Sequence, residues 1–129
     1  MAAAWEFSVL EFFMDMRNDT LTAFNKAITF LGNKGIIWIT ICAILLIIPK
    51  TRKIGFYASA ALLIQALLGE VILKHIISRE RPFVQDSSIT TIIATPLGKY
   101  SMPSGHSSSS AAVAASVFIQ NKKLGIPIA

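Results

Sequence analysis

The apolar segment at residues 54–77 limits what this chain can fold into more than any other feature. A bilayer core about 30 Å thick needs roughly 20 apolar residues in a helix, and this segment is long enough to cross it with some tilt. The whole sequence is 53% hydrophobic and has a mean hydropathy of +0.61. Such a composition is too apolar for an ordinary soluble domain and is typical of a membrane protein.

Two further segments are predicted to span the membrane, at residues 30–48 and at residues 104–119. The first has a short continuous apolar core, at residues 36–48. It reaches across a bilayer only if Phe30 and Leu31 belong to the same helix. The second begins with a run of serines and becomes apolar farther along the chain. The sequence therefore predicts about three spans.

Residues 4–16 are predicted to form a separate amphipathic helix. Trp5, Phe12 and Met16 lie near one face of that helix, which suits a helix that lies in the membrane interface. A helix packed on the rest of its own protein would show the same pattern. Together with the three spans, it predicts an all-α transmembrane helical bundle that forms a single membrane domain over residues 1–129.

Basic residues flank the apolar segments in two clusters, which predict how the chain is oriented in the membrane. Lys50, Arg52 and Lys53 separate the first two segments, and Lys122 and Lys123 follow the third. If the spans alternate, both clusters lie on one side, and the positive-inside rule makes that side cytoplasmic. The net charge of +5 is then explained by membrane topology, and no nucleic-acid partner is expected.

The cations on the opposite, extracytoplasmic side need another reason to be there. Lys74 and Arg81 are spaced as K-x6-R-P, with Pro82 after the arginine. This spacing is close to two helical turns, so both cations share one face if the helix continues to about Arg79, although Pro82 disfavours a helical Arg81. An arginine fork and a lysine point charge suit phosphate oxygens. A pair of snorkelling side chains at a helix end would have the same spacing.

The more specific motif is P-S-G-H at residues 103–106, at the predicted start of the third span. A given tetrapeptide occurs by chance in about one chain of this size in a thousand. The N-terminus of a helix attracts anions, and Gly105 lets a phosphate approach the backbone closely. Ser104 adds a hydroxyl donor, and His106 is of the residue type that exchanges protons near neutral pH. A helix cap with an incidental histidine is the alternative.

Other polar residues lie near these motifs. Glu70 comes four residues before Lys74, the favourable order for a helical ion pair, so we expect it to hold Lys74 in place. His75 points about 100° away from Lys74 around the helix and is not expected in the site. Arg79 and Lys99 are further cations on this side, and they either line the entrance of the site or are only solvated.

The two motifs, in this order and placement, resemble those of the type 2 phosphatidic acid phosphatase family, whose members remove phosphate from lipid phosphates and diphosphates. The resemblance implies that Lys74, Arg81, Ser104 and Gly105 bind the substrate phosphate. It implies that His106 is the general acid that protonates the leaving group. No metal and no other cofactor are implied. The expected partner is a phosphorylated membrane lipid, namely phosphatidic acid, phosphatidylglycerophosphate or undecaprenyl diphosphate.

The third motif of that family, S-R-x5-H-x3-D, does not occur in the sequence. In the family it supplies the histidine that forms a phosphohistidine and the aspartate that aligns it, within a six-helix bundle. Residues 1–129 are therefore expected to be the front part of that fold, a truncated product that is inactive alone. Two alternatives stay open: a non-catalytic membrane module that binds a phosphorylated lipid, and a small membrane interaction protein.

Overall fold

The computed structural model describes residues 4–85 and 100–127, and the regular secondary structure within them is helical. The predicted all-α fold is thereby confirmed. Residues 86–99, and with them Lys99, lie outside the described residues. The helices are α1 (Ala4–Asp15), α2 (Asp19–Gly32), α3 (Ile36–Ile47), α4 (Arg52–Ile77), α5 (Pro82–Gln85), α6 (Gly105–Gln120) and α7 (Lys122–Gly125).

One described helix, α4, is by itself long and apolar enough to cross a membrane, and it coincides with the predicted span at residues 54–77. α2 and α3 meet the same criterion only as a pair, and they are bent by 51° relative to each other. α6 has 16 residues, or about 24 Å of helix, which is shorter than the hydrocarbon core. The described residues thus contain one continuous span, or two if the bent pair counts as one, where the sequence predicted three.

The bend between α2 and α3 arises at a short connection, the 3-10 turn Asn33–Gly35. Gly35 has φ +68° and ψ +21°, in the left-handed region that glycine adopts without steric penalty. A right-handed helix cannot continue through a residue in this conformation. The predicted span at residues 30–48 is therefore not one continuous helix, and it can cross a membrane only as part of the bent pair of α2 and α3.

The end of α4 also departs from regular α-helix. Residues Ala66–Leu73 are π-helical, and a last α-helical turn, Lys74–Ile77, follows them. The helix stops at Ser78, whose φ of +46° is left-handed. Because α4 ends before Arg81, helical periodicity does not bring Arg81 onto the face of Lys74. The condition for a shared helical face, a helix that continues to about Arg79, is therefore not met, and the expectation that Arg81 lies outside this helix is confirmed.

α3, α4 and α6 pack side by side, with α4 antiparallel to the other two. The start of α4 contacts the end of α3: a Cβ on Gly55 would lie 2.7 Å from the backbone nitrogen of Leu46. Farther along, the Gln65 amide donates a hydrogen bond of 2.7 Å to the hydroxyl of Ser108 in α6. Glycine at position 55 thus permits the close approach of two helix backbones.

A small apolar core lies between these three helices. Its buried members are Cys42, Leu45, Ala58, Val113 and Val117. Much of the remaining apolar surface is exposed, since Ile76 and Ile119 are 74% and 81% accessible. An apolar surface of this extent suits lipid or further helices better than water.

The antiparallel arrangement of the helices determines at which end of the bundle each group of charged residues lies. Ile54 of α4 and Leu124 of α7 both pack on the core at one end, and the two basic clusters are next to them in sequence. At the other end, α4 finishes at Ile77 and α6 begins at Gly105. The two motifs therefore lie at the end of the bundle that is opposite both basic clusters.

Candidate active site

A short backbone pairing joins the segment after α4 to the segment before α6. Glu80 and Tyr100 form an antiparallel bridge. The N–H of Ser101 donates to the carbonyl of Arg79 at 2.7 Å, and the Ser101 hydroxyl lies 3.1 Å and 3.2 Å from the carbonyl oxygens of Arg79 and Glu80. Arg81 directly follows the bridged residue, so this pairing holds it beside the segment that leads into α6.

Arg81 itself introduces the single helical turn α5. Its carbonyl accepts hydrogen bonds from the N–H groups of Val84 at 2.9 Å and Gln85 at 3.3 Å. Pro82 occupies the first position of the turn, where its missing N–H has no intrahelical partner to lose. The R-P pair thus starts α5, and Arg81 is half-buried.

Lys74 and Glu70 form the ion pair that their spacing predicts. Lys74 Nζ lies 2.6 Å from Glu70 Oε2, and the two side chains are 15% and 41% exposed, respectively. An ammonium group that is mostly removed from water needs a counter-charge, because desolvation without one is strongly unfavourable. The carboxylate therefore supplies the counter-charge and limits where the ammonium of Lys74 can point.

The same carboxylate reaches across to the start of α6. A Cβ built on Gly105 would overlap Glu70 Oε1 and would lie 3.3 Å from its carboxyl carbon. Only a glycine leaves room for the carboxylate at this place. Glu70 therefore contacts both motifs at once, with Oε2 on Lys74 and Oε1 beside Gly105.

Ser104 is the N-cap residue of α6. Its hydroxyl oxygen accepts hydrogen bonds from the N–H of Ser107 at 3.4 Å and from the hydroxyl of Ser107 at 3.2 Å. Because the oxygen accepts both bonds, the hydroxyl hydrogen of Ser104 can be donated to another group. The first-turn N–H groups and the helix dipole also favour negative charge here. This is the place where the Glu70 carboxylate lies.

His106 follows in the first turn of α6, and its imidazole lies against Gly32 at the end of α2. A Cβ on Gly32 would overlap the Cδ2 atom of the ring and would lie 2.8 Å from Nε2. The His106 side chain is exposed. Sequence reasoning missed this contact, since Gly32 and His106 belong to different predicted segments, residues 30–48 and residues 104–119.

The remaining polar residues near the motifs have partners of their own. Arg79 forms an ion pair with Glu6 of α1, with side chains that are 29% and 25% exposed. Arg79 is thus not merely solvated, because its ion pair with Glu6 holds α1 at this end of the bundle. His75 Nδ1 lies 2.7 Å from the carbonyl oxygen of Val71 in its own helix, and its ring meets Tyr100 edge-on.

The structure thus brings together most of the residues singled out in the sequence. Lys74 and Gly105 share the Glu70 carboxylate, Ser104 and His106 adjoin Gly105, and the backbone bridge carries Arg81 to the same end. Two cations, a helix N-terminus and an imidazole can hold an anion and exchange a proton with it. Among the described residues, no three His, Cys, Asp or Glu side chains are grouped to hold a metal ion.

Comparison with known proteins agrees with the resemblance carried by the two motifs. The model of the PAP2 superfamily matches residues 54–128, a range that contains both. An undecaprenyl-diphosphatase of Sulfolobus acidocaldarius is 33% identical over 99 residues, which are 75% of this chain and 47% of the relative. This chain thus spans about half the length of that curated relative. No solved structure gives a significant match. The chain belongs to the PAP2 superfamily.

Proposed function

We propose that this chain carries the phosphate-binding half of a membrane lipid phosphatase that acts on a prenyl diphosphate such as undecaprenyl diphosphate. The observation that carries the proposal is the Glu70 carboxylate, which contacts Lys74 and lies beside Gly105. One anionic group already lies against both motifs, so the two motifs form one anion-attracting site. The name of the relative, undecaprenyl-diphosphatase, supports the substrate class.

In the proposed site, phosphate oxygens are held by groups of three kinds. Lys74 contributes a point charge, Arg81 a planar fork, and the Gly105 end of α6 backbone N–H groups with the dipole of a long helix. The Ser104 hydroxyl adds a further donor. Groups fixed before the substrate arrives can stabilise the charge that builds up on phosphorus as the bond to the leaving group breaks.

His106 is proposed as the general acid. When a nucleophile attacks the terminal phosphorus, the bond from phosphorus to the bridging oxygen breaks, and that oxygen leaves with the electron pair. A proton from the imidazolium of His106 then neutralises the leaving lipid phosphate. In the family the nucleophile is the histidine of the third motif, which gives a phosphohistidine that water hydrolyses. The sequence has two histidines, His75 and His106, and no such motif.

A first prediction tests whether the general acid and the nucleophile are two different histidines. We expect the purified 129-residue chain to hydrolyse no undecaprenyl diphosphate above background, because it lacks the histidine that would attack phosphorus. Hydrolysis should appear when the chain is reconstituted with helices that carry S-R-x5-H-x3-D, measured as phosphate release in detergent micelles. Turnover by the chain alone that disappears in His106→Ala would contradict the assignment, since the nucleophile would then lie within these residues.

A second prediction concerns the membrane. We propose that the motif-bearing end of the bundle faces the extracytoplasmic side in a multi-pass cell-membrane protein, because both basic clusters lie at the opposite end. Single cysteines in a Cys42→Ser background should therefore react with an impermeant maleimide in intact cells at position 106 but not at positions 52 or 123. Positions 52 and 123 should react only after the cells are permeabilised. External labelling at position 52 and protection at position 106 would reverse the orientation.

A further inference from the structure

The contact between Gly32 and His106 assigns a task to a residue outside both motifs. Gly32 has φ −77° and ψ −17°, an ordinary right-handed helical conformation that any residue can adopt. In a helix, glycine is less favourable than alanine, because it loses more backbone entropy on folding. Backbone conformation therefore gives no reason for glycine at this position. The reason lies in the space that its missing side chain leaves.

That space is filled by the imidazole of His106. A Cβ at position 32 would meet Cδ2, Nε2 and Cγ of the ring, the last two at 2.8 Å and 3.7 Å. Apolar atoms in good contact are about 3.5–4.0 Å apart, so the ring lies directly on the backbone at the end of α2. No described residue forms a hydrogen bond with the ring nitrogens. The backbone at Gly32 is thus a contact that limits where the ring can turn.

Gly35, three residues later, provides a built-in comparison. Its φ of +68° requires a residue that tolerates the left-handed region, but a Cβ there would have nothing within 4 Å. The two glycines of the α2–α3 connection therefore serve different purposes. Gly35 makes the turn, and Gly32 leaves room for a side chain from α6.

We propose that Gly32 is a positioning residue for His106, and that the last turn of α2 sets the direction in which the imidazole presents its proton. The inference rests on the proposed role of His106 as general acid. A methyl group at position 32 would push the ring away by about 1 Å if normal contacts are to be restored. A displacement of that size in a catalytic group can lower a rate about 100-fold.

The contact between Gly32 and His106 can be tested without measuring enzymatic activity. Gly32→Ala should lower the Tm of the chain in detergent, because the new methyl group overlaps the imidazole. In a His106→Ala background the same change should leave Tm unchanged or raise it, because the obstacle is gone and alanine is the better helix former. An equal Tm change in both backgrounds would overturn the contact. The comparison needs only variants that fold well enough to show a transition.

Nuclear magnetic resonance of the ring gives the second readout. A chain labelled with 15N-histidine shows signals from only two residues, His75 and His106. Gly32→Ala should shift the ring signals of His106 and leave those of His75 in place. Gly35→Asn, which keeps a residue suited to the left-handed region, should leave both sets unchanged. Unshifted His106 signals in Gly32→Ala would refute the positioning role.

The consequence for catalysis is measured in the chain reconstituted with helices that carry the third motif. Gly32→Ala should lower kcat about 100-fold for a prenyl diphosphate. It should have a much smaller effect on 2,4-dinitrophenyl phosphate, because the leaving dinitrophenolate is a weaker base than a lipid phosphate and departs without a proton. Equal losses for both substrates would point to general damage and overturn the role of Gly32 in proton delivery. If the Tm and ring signals respond as expected but the reconstituted protein hydrolyses neither substrate, the positioning contact stands and the proposed phosphatase function fails.

Discussion

Replacing Arg81 by alanine is expected to weaken the binding of vanadate to this chain about 10- to 150-fold. Charge-assisted hydrogen bonds contribute roughly 1.5–3 kcal/mol each, and a factor of ten in affinity corresponds to about 1.4 kcal/mol. This range counts one such bond, and a second, parallel bond from the guanidinium fork to the same anion would increase the loss. Isothermal titration calorimetry with the chain in detergent micelles measures it. Arg81→Lys should recover only part of the affinity, since an ammonium group cannot form the fork.

Arg79 offers a matched control for this measurement. It is two residues from Arg81, carries the same charge, and forms an ion pair with Glu6 of α1. If Arg81 binds the anion directly, Arg79→Ala should change vanadate affinity only slightly. Equal losses of vanadate affinity in both variants would show that binding depends only on the net positive charge nearby. Unchanged affinity in Arg81→Ala would remove Arg81 from the phosphate site.

The second large effect is expected at His106. In the protein reconstituted with a nucleophilic histidine, His106→Ala should lower kcat for a prenyl diphosphate by about two to four orders of magnitude, the usual contribution of a general acid. Vanadate affinity should change little, because the proton is needed only as the leaving group departs. Phosphate release under substrate saturation measures the first quantity, and calorimetry measures the second.

His75 is the natural control for that variant. It is the other histidine of the sequence, and its Nδ1 lies 2.7 Å from the Val71 carbonyl oxygen within α4. His75→Ala should therefore keep most of the activity. A collapse of turnover in both histidine variants would indicate that the bundle has been disturbed. A loss of vanadate affinity in His106→Ala as large as the loss in turnover would make His106 a binding group.

Features set by local rules could be predicted from the sequence. The length of α4 follows from a continuous apolar segment, and the ion pair of Glu70 with Lys74 follows from a spacing of four residues on a helix. The cap at Ser104 follows from the preference of helix N-termini for serine. The grouping of both motifs at one bundle end followed from alternation of the apolar segments, because consecutive membrane spans cross in opposite directions.

Features that depend on residues distant in sequence could not be predicted. Gly32 and His106 belong to different helices, and a glycine that leaves room for a ring looks the same in sequence as one that makes a turn. The ion pair of Arg79 with Glu6 similarly joins α1 to the far end of α4. The bend at Gly35 was missed because the apolar residues before and after residues 32–35 were assigned to one span, and hydropathy does not report φ.

The Glu70 carboxylate changes what a binding measurement at this site means. Before any phosphate arrives, Lys74 already has a negative partner at 2.6 Å, and the start of α6 already has one beside Gly105. A phosphate oxygen that binds at either position must displace the Glu70 carboxylate and does not fill an empty site. Because the carboxylate is tethered to α4, its effective concentration is high and constant. The measured affinity is then the difference between two competing anions, and a weak value is compatible with strong contacts to phosphate.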